Sequence, residues 1–175
     1  MNIEFFIFFG VSLFMIHEFE EIIFVRKWLT INENNAKLVK DMWLKNRNAY
    51  PSTSAIALMI GEEFILIVIL SLLAIWLHFA ELAVGMFVGH TLHLVGHIGN
   101  AIRVKMWSHG SITAAVTLPV NAAIITYFLS QNQFSATCLA IGLLIAGTIL
   151  LGNLALIHKL APKFNDFILN FYKKS

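Results

Sequence analysis

The sequence predicts an all-α protein: a polytopic transmembrane helix bundle of about five spans, with its N-terminus outside and its C-terminus cytoplasmic. Three observations lead there. Of the 175 residues, 58% are hydrophobic and only 13% are charged, about half the charge that the surface of a soluble domain carries. Apolar runs of about 20 residues recur along the chain, the length that crosses a hydrocarbon core as a helix. Finally, all twelve Lys and Arg residues fall in segments that would lie on one side of a membrane.

The first span, about 3–25, begins without a basic residue and without a small-residue cleavage site. It is therefore expected to be a retained helix and not a signal peptide. The second, about 54–77, follows Pro51, Ser52 and Thr53, residues that open helices. The third covers about 79–102. The fourth, about 111–129, contains Pro119, where a kink is expected. The fifth covers about 134–157. Very short connections join the second span to the third and the fourth to the fifth, so each pair is expected to be antiparallel neighbours. Two further stretches, about 33–46 and 163–173, place Leu38, Val39, Met42 and Trp43, then Phe164, Phe167, Ile168 and Phe171, at helical spacing among lysines. Such basic amphipathic segments read as anchors in the headgroup layer, or as a lid over a site that opens there. No internal repeat divides the chain, and 1–175 reads as a single integral membrane domain.

Orientation follows from the basic residues. Arg26, Lys27, Lys37, Lys40, Lys45 and Arg47 precede the second span, Arg103 and Lys105 follow the third, and Lys159, Lys163, Lys173 and Lys174 lie in the tail. Cytoplasmic loops carry the excess of Lys and Arg, which puts the N-terminus outside and the C-terminus inside. The formal charge of +2, without a basic stripe carrying aromatics, excludes a nucleic-acid partner, and the lone Cys138 excludes a disulfide framework or thiolate site.

Polar residues interrupt this apolar background in a pattern. In the first span His17, Glu20 and Glu21 share one helical face, with Glu18 pointing away from its centre. The second span carries Glu62 and Glu63. The third carries His90, His93 and His97 within about 60° on a helical wheel, with Asn100 beyond them and Gly85, Gly89, Gly96 and Gly99 on a neighbouring stripe that would admit another helix. Measured from the cytoplasmic ends at about 1.5 Å per residue, Glu20 and His97 lie near 7–8 Å depth, and His17, Glu62 and His93 near 12–14 Å. Each carboxylate at such depth costs on the order of 2–3 kcal/mol on translocon scales. No Lys or Arg is placed within the spans, so compensation must come from protons, protonated histidines, water or a metal.

Carboxylates and neutral imidazoles converging from several helices suit a divalent ion, Zn or Fe, one or two of them. The candidate ligands are His17, Glu20, Glu21, Glu62, Glu63, His90, His93 and His97. A proton or cation pathway uses the same residue types, and a purely structural polar network is the plainest reading. His109 and His158 sit at helix ends, where wet interfacial histidines are expected. Asn121 is a weak signal, and Asn153 is placed to hydrogen-bond a ligand from the fifth span.

The pattern His17-Glu18-Phe19-Glu20-Glu21, inside a first transmembrane helix and followed by His93-x-x-x-His97, resembles the HXXEE-domain family of small multi-pass bacterial membrane proteins. The resemblance extends over essentially the whole chain. It implies a metal-dependent membrane enzyme, placed in the bacterial inner membrane, and carries over to His17, Glu20 and Glu21. It supplies no substrate.

The expected chemistry is hydrolytic. A metal-bound water would be activated at neutral pH, with Glu21 or Glu63 as general base. The substrate would be lipid-like or amphiphilic, entering from the cytoplasmic leaflet of the bilayer. A di-iron oxygenase or desaturase is the alternative enzyme, and a proton or divalent-cation transporter the alternative outside enzymes. The nearly all-apolar outer halves of the spans argue against a pathway open to both faces.

Overall fold

The computed structural model describes residues 1–35, Leu38 and 51–174. Over these residues the chain forms five helices: α1 (Ile3–Asn32), α2 (Thr53–Trp76), α3 (Ala80–Val104), α4 (Ser111–Gln131) and α5 (Ala136–Lys174). Most of the amphipathic stretch expected at 33–46 lies outside the described residues. The helix starts follow local chemistry. Asn2 accepts the Phe5 amide at 3.1 Å and caps α1. Ser52, just after Pro51, accepts the Ala55 amide at 3.2 Å and caps α2.

Helices α2 to α5 are each long and apolar enough to cross a membrane, which makes this a multi-pass helical membrane protein. With its 30 residues α1 is also long enough. It differs from the other four in carrying Glu18, Glu20 and Glu21 in one stretch. Yet its polarity is inside out by the standard of a soluble helix. Glu18 and Glu20 are buried, whereas Phe5, Phe8, Phe9, Phe19 and Phe24 are exposed. Trp76 at one end of the bundle and Trp107 at the other are both exposed, as expected of aromatic residues at two membrane interfaces.

Helix α5 runs 39 residues without a break through Pro162. At about 1.5 Å per residue it is close to 58 Å long, about twice the hydrocarbon thickness. The tail at 163–173, expected as a separate amphipathic segment, is thus the projecting end of the fifth helix.

Helix α3 is the hub, packing on α5, α4 and α2, while α1 lies against α2 and α4. The short-loop rule holds for α2 and α3, which are in contact. It fails for α4 and α5, which barely touch although residues 132–135 alone separate them. Each docks independently on α3. Asn121 of α4 is fully buried and donates to Phe87 O at 3.2 Å and Thr91 Oγ1 at 2.9 Å. On the other side of α3, Gly85 faces the Gly142 backbone and Ala146, and Gly142 faces the Glu81 backbone, leaving no room for a Cβ at either glycine. The small-residue stripe of α3 works only at that end: Gly89 still faces Leu150, but Gly96 and Gly99 have nothing against them. Helices α3 and α5 therefore cross tightly near the start of α3 and separate toward its end.

The tight end is dry. Phe6 stacks on Phe128 with ring centroids 4.1 Å apart and meets Phe87 edge-on at 5.2 Å. The open end holds the histidines and glutamates. Gly142→Leu should destabilise the protein by about 1–3 kcal/mol through overpacking, measured by thermal unfolding in detergent. Gly152→Leu, where a Cβ meets nothing within 4 Å, should leave the unfolding temperature unchanged.

Candidate metal centre

The first half of α1 is held by the aromatic core, and its second half organises the polar end. Gly110 caps α4 in a left-handed conformation, φ 73°, and so offers no side chain to the exposed amides of that helix. Glu20 takes the part. Its Oε2 accepts the Thr113 amide and the Thr113 hydroxyl, each at 2.6 Å. A carboxylate at a helix N-terminus gains from both the unpaired N–H groups and the dipole. Nearby, Trp28 donates to Trp107 O at 3.1 Å, and Glu21 Oε1 accepts His109 Nδ1 at 3.0 Å. The turn 107–111 is thereby pinned against α1.

These bonds set the tautomers of the histidines. The Thr113 hydroxyl spends its proton on Glu20, so at 3.0 Å from His17 Nδ1 it accepts. His17 Nδ1 therefore carries the hydrogen, and Nε2 presents its lone pair. That Nε2 is buried without a hydrogen-bond partner. His97 Nδ1 lies 3.1 Å from the carbonyl of His109. A carbonyl only accepts, so this ring also carries its hydrogen on Nδ1 and turns the Nε2 lone pair inward. His93 Nε2 stands 3.0 Å from His97 Nε2. Ring centroids of His17 lie 5.2 Å from His93 and 4.8 Å from His97.

Among the described residues two groups of three result. One ring nitrogen each of His17, His93 and His97 lie within 4.8 Å of one another, and so do single ligand atoms of Glu21, His97 and His109. Glu21 Oε1 is 3.4 Å from His97 Nε2. Nitrogens of a tetrahedral zinc site stand about 3.3 Å apart, from Zn–N bonds of about 2.0–2.1 Å, so this spacing needs only small side-chain adjustments to close on an ion. The His17 and His97 rings are also oriented as metal-binding imidazoles usually are, with the outer N–H held by a hydroxyl and a carbonyl.

Of the residues expected from sequence, His17, Glu21, His93 and His97 come together. Glu20 is adjacent but committed to α4. Glu62 accepts Asn153 Nδ2 at 2.9 Å, which is the partnership expected of Asn153, made to a residue outside both groups of three. His90 packs against Phe14 at 5.6 Å and His17 at 6.0 Å and belongs to neither group. Glu63 lines the adjoining cavity of about 360 Å³, along with Glu18, Glu21, His93, His97 and Arg103. The Arg103 Nη2 donates to Asn100 Oδ1 at 2.7 Å on that wall, so the third span does deliver one cation to the edge of the site.

Two expectations are corrected. Glu18 does not turn away: it is buried, with Oε1 3.9 Å from His93 Nε2. Helix α1 is wedged between α2 and α4, so its buried arc takes in Glu18 on the α2 side as well as Glu20 on the α4 side. His109 is not a wet interfacial residue but is buried between Trp28, Glu21 and His97. The fourth helix was not expected at the site at all, and it contributes Gly110 and Thr113. A Cβ at Gly110 would lie 2.6 Å from His97 Nδ1 and 3.0 Å from Glu21 Oε1. The sequence signal for this turn is the His109-Gly110 pair directly before a helix start.

The chain belongs to the family described as "Protein of unknown function with HXXEE motif", whose model matches residues 8–124. His17, Glu20 and Glu21 are the motif's named positions, and the match runs through α3 and most of α4. No curated protein and no solved structure matches the chain.

The hydroxyl of Thr113 joins Glu20 to His17, so removing it should release the His17 ring. In Thr113→Val, imidazole ¹⁵N spectra should show a mixture of tautomers at His17, where the wild type shows Nδ1–H alone. Thr113→Ser should restore the single tautomer. A single Nδ1–H form in the valine variant would show that the hydroxyl does not hold the ring.

Proposed function

We propose that this protein is a membrane-embedded metalloenzyme, a metal-dependent hydrolase acting on an amphiphilic substrate at the cytoplasmic leaflet. The observation that carries this reading is the inward-facing set of imidazole nitrogens on His17, His93 and His97. Two of those rings have tautomers fixed by protein partners, and one nitrogen is buried with no other use. The residues fit one ion better than two. Both groups of three include His97, and its Nδ1 is already bonded to the His109 carbonyl, so one nitrogen remains and it serves one centre. A carboxylate-bridged di-iron site needs more carboxylates than are on offer, because Glu20 and Glu62 are engaged elsewhere.

His17, His93 and His97 would hold the ion and leave its fourth position to water, with Glu21, steadied by His109, beside them. A zinc ion with three protein nitrogens lowers the pKa of its bound water to about 7. Glu63 is the general base this geometry leaves available, on the wall of the same cavity and outside the ligand set. Glu18 stands beside His93. Arg103 offers a positive charge to a polar or anionic headgroup. The placement of all twelve Lys and Arg supports a cytoplasmic C-terminus and, with it, five spans including α1. A reporter fused after Ser175 should be cytoplasmic and one inserted at Asn132 should not; a periplasmic C-terminal reporter would reverse the leaflet assigned to the site.

Elemental analysis tests the centre directly. Wild type purified without a chelating tag should hold close to one zinc per chain, His93→Ala should lose it, and Asn132→Ala should keep it. Near-stoichiometric iron would favour the oxygenase. Because only neutral imidazoles coordinate, affinity is full above the imidazole range and falls as pH drops through it, up to about tenfold per pH unit for each ring that must shed a proton. A metal-free, monodisperse wild type after metal supplementation would move the assignment to a proton pathway.

A further inference from the structure

A second cavity of about 250 Å³ adjoins the first, and the two share Glu18, Glu63, His93 and Leu154 as a common wall. From that wall it extends along α3 from His93 to Met86 and along α5 from Leu154 to Gly147. Each path is seven residues, about 10 Å of helix. Ile67, Met86, Phe87 and Leu150 line the far end, so its polarity falls away from the histidine cluster. Leu92 and Leu151 at its edge are 66% and 68% exposed, which opens the cavity sideways toward the hydrocarbon of the bilayer.

We infer that this cavity is the chamber for the single hydrocarbon chain of an amphiphile whose polar end reaches the histidine cluster. The assignment of the polar end rests on the metalloenzyme reading; the chamber itself rests on the cavity. Its size selects one slim chain, being below the roughly 300–1,000 Å³ of pockets that take drug-sized ligands. Its far wall selects hydrocarbon, because a polar group placed there would find no hydrogen-bond partner among the lining residues. His90 adds an independent observation. It lines the chamber, is 7% exposed, and has both ring nitrogens buried without a hydrogen-bond partner. A neutral imidazole there holds an N–H for an acceptor near the head of the chain, such as a carbonyl oxygen.

Gly147 provides the test, since it lines the chamber and a Cβ there meets nothing within 4 Å. Octanoic acid bearing a terminal diazirine, a chain that matches the roughly 10 Å of the chamber, is added to the protein in lipid nanodiscs, irradiated, and the labelled peptides are read by mass spectrometry. Wild type should be labelled at the far end of the chamber, around Met86 and Leu150. Gly147→Phe should lose that labelling by about tenfold, the effect of displacing roughly two methylene groups, while its metal content stays at the wild-type level. Leu144→Phe, on a face that is 71% exposed, should label as wild type. Where the phenylalanine variant is not monodisperse, Gly147→Leu should show a smaller loss of the same kind. Undiminished labelling in the Gly147 variants, or wild-type labelling confined to lipid-facing side chains such as Leu144, would overturn the chamber. Chamber labelling that responds to Gly147 in a metal-free wild type would retain the chamber and defeat the metalloenzyme instead.

Discussion

The bond from Glu20 to the start of α4 is the interaction on which the rest of the polar end depends. An ionised carboxylate on a membrane helix is costly unless hydrogen-bonded, and a helix that begins at a glycine leaves its first amides without a side-chain cap. Each defect answers the other. Once Glu20 holds the amide and hydroxyl of Thr113, α4 is fixed one turn from His17, and the turn before it falls between Glu21 and His97. The carbonyl of His109 then orients His97, and its ring orients Glu21.

This arrangement divides the five mid-helix acids of α1 and α2 into two kinds. Glu20 and Glu62 are stabilised by neighbouring helices, at the start of α4 and by the amide of Asn153 on α5. Glu18, Glu21 and Glu63 line the cavity beside the histidines. Spacing along a helix cannot make that division, because neighbouring acids in Glu20-Glu21 and Glu62-Glu63 differ only by the 100° that turns one toward a partner helix and the next toward the cavity. The sequence shows that acids must be compensated; packing decides which of them remain chemically available.

Much of the fold was legible for the same reason that the site was only partly so. Five apolar runs and the Ser52 cap are local or compositional, and the helices follow them closely. The histidine stripe of α3 and the facing residues of α1 were legible because a 3.6-residue period makes a face visible. The role of α4 was not. His109 and Thr113 reach the site through a turn at a glycine, which carries no periodicity, and the bonds that matter join residues more than 80 positions apart. The α4–α5 pairing was misjudged because a short loop constrains ends, not packing, and α3 offered each helix a better surface.

The glycine stripe of α3 joins the fold to its proposed chemistry. Where Gly85 and Gly142 allow backbone contact, α3 and α5 are clamped over a dry aromatic core. Beyond them, Gly96, Gly99, Gly147 and Gly152 have no neighbour at the Cβ position, and the helices diverge. A small residue in a membrane helix usually serves close approach; at Gly96 and Gly147, which line the two cavities, it serves the opposite, keeping space open. The divergence starts about where the histidines begin on α3, at His90. An apolar opening between two membrane helices would fill with lipid. One walled at its inner end by Glu18, Glu63 and His93 discriminates by polarity along its length: hydrocarbon can enter from the side, and a polar group is accommodated only where it meets the histidines. The clamp thus fixes the geometry of a site that could not be both open to the bilayer and rigid without it.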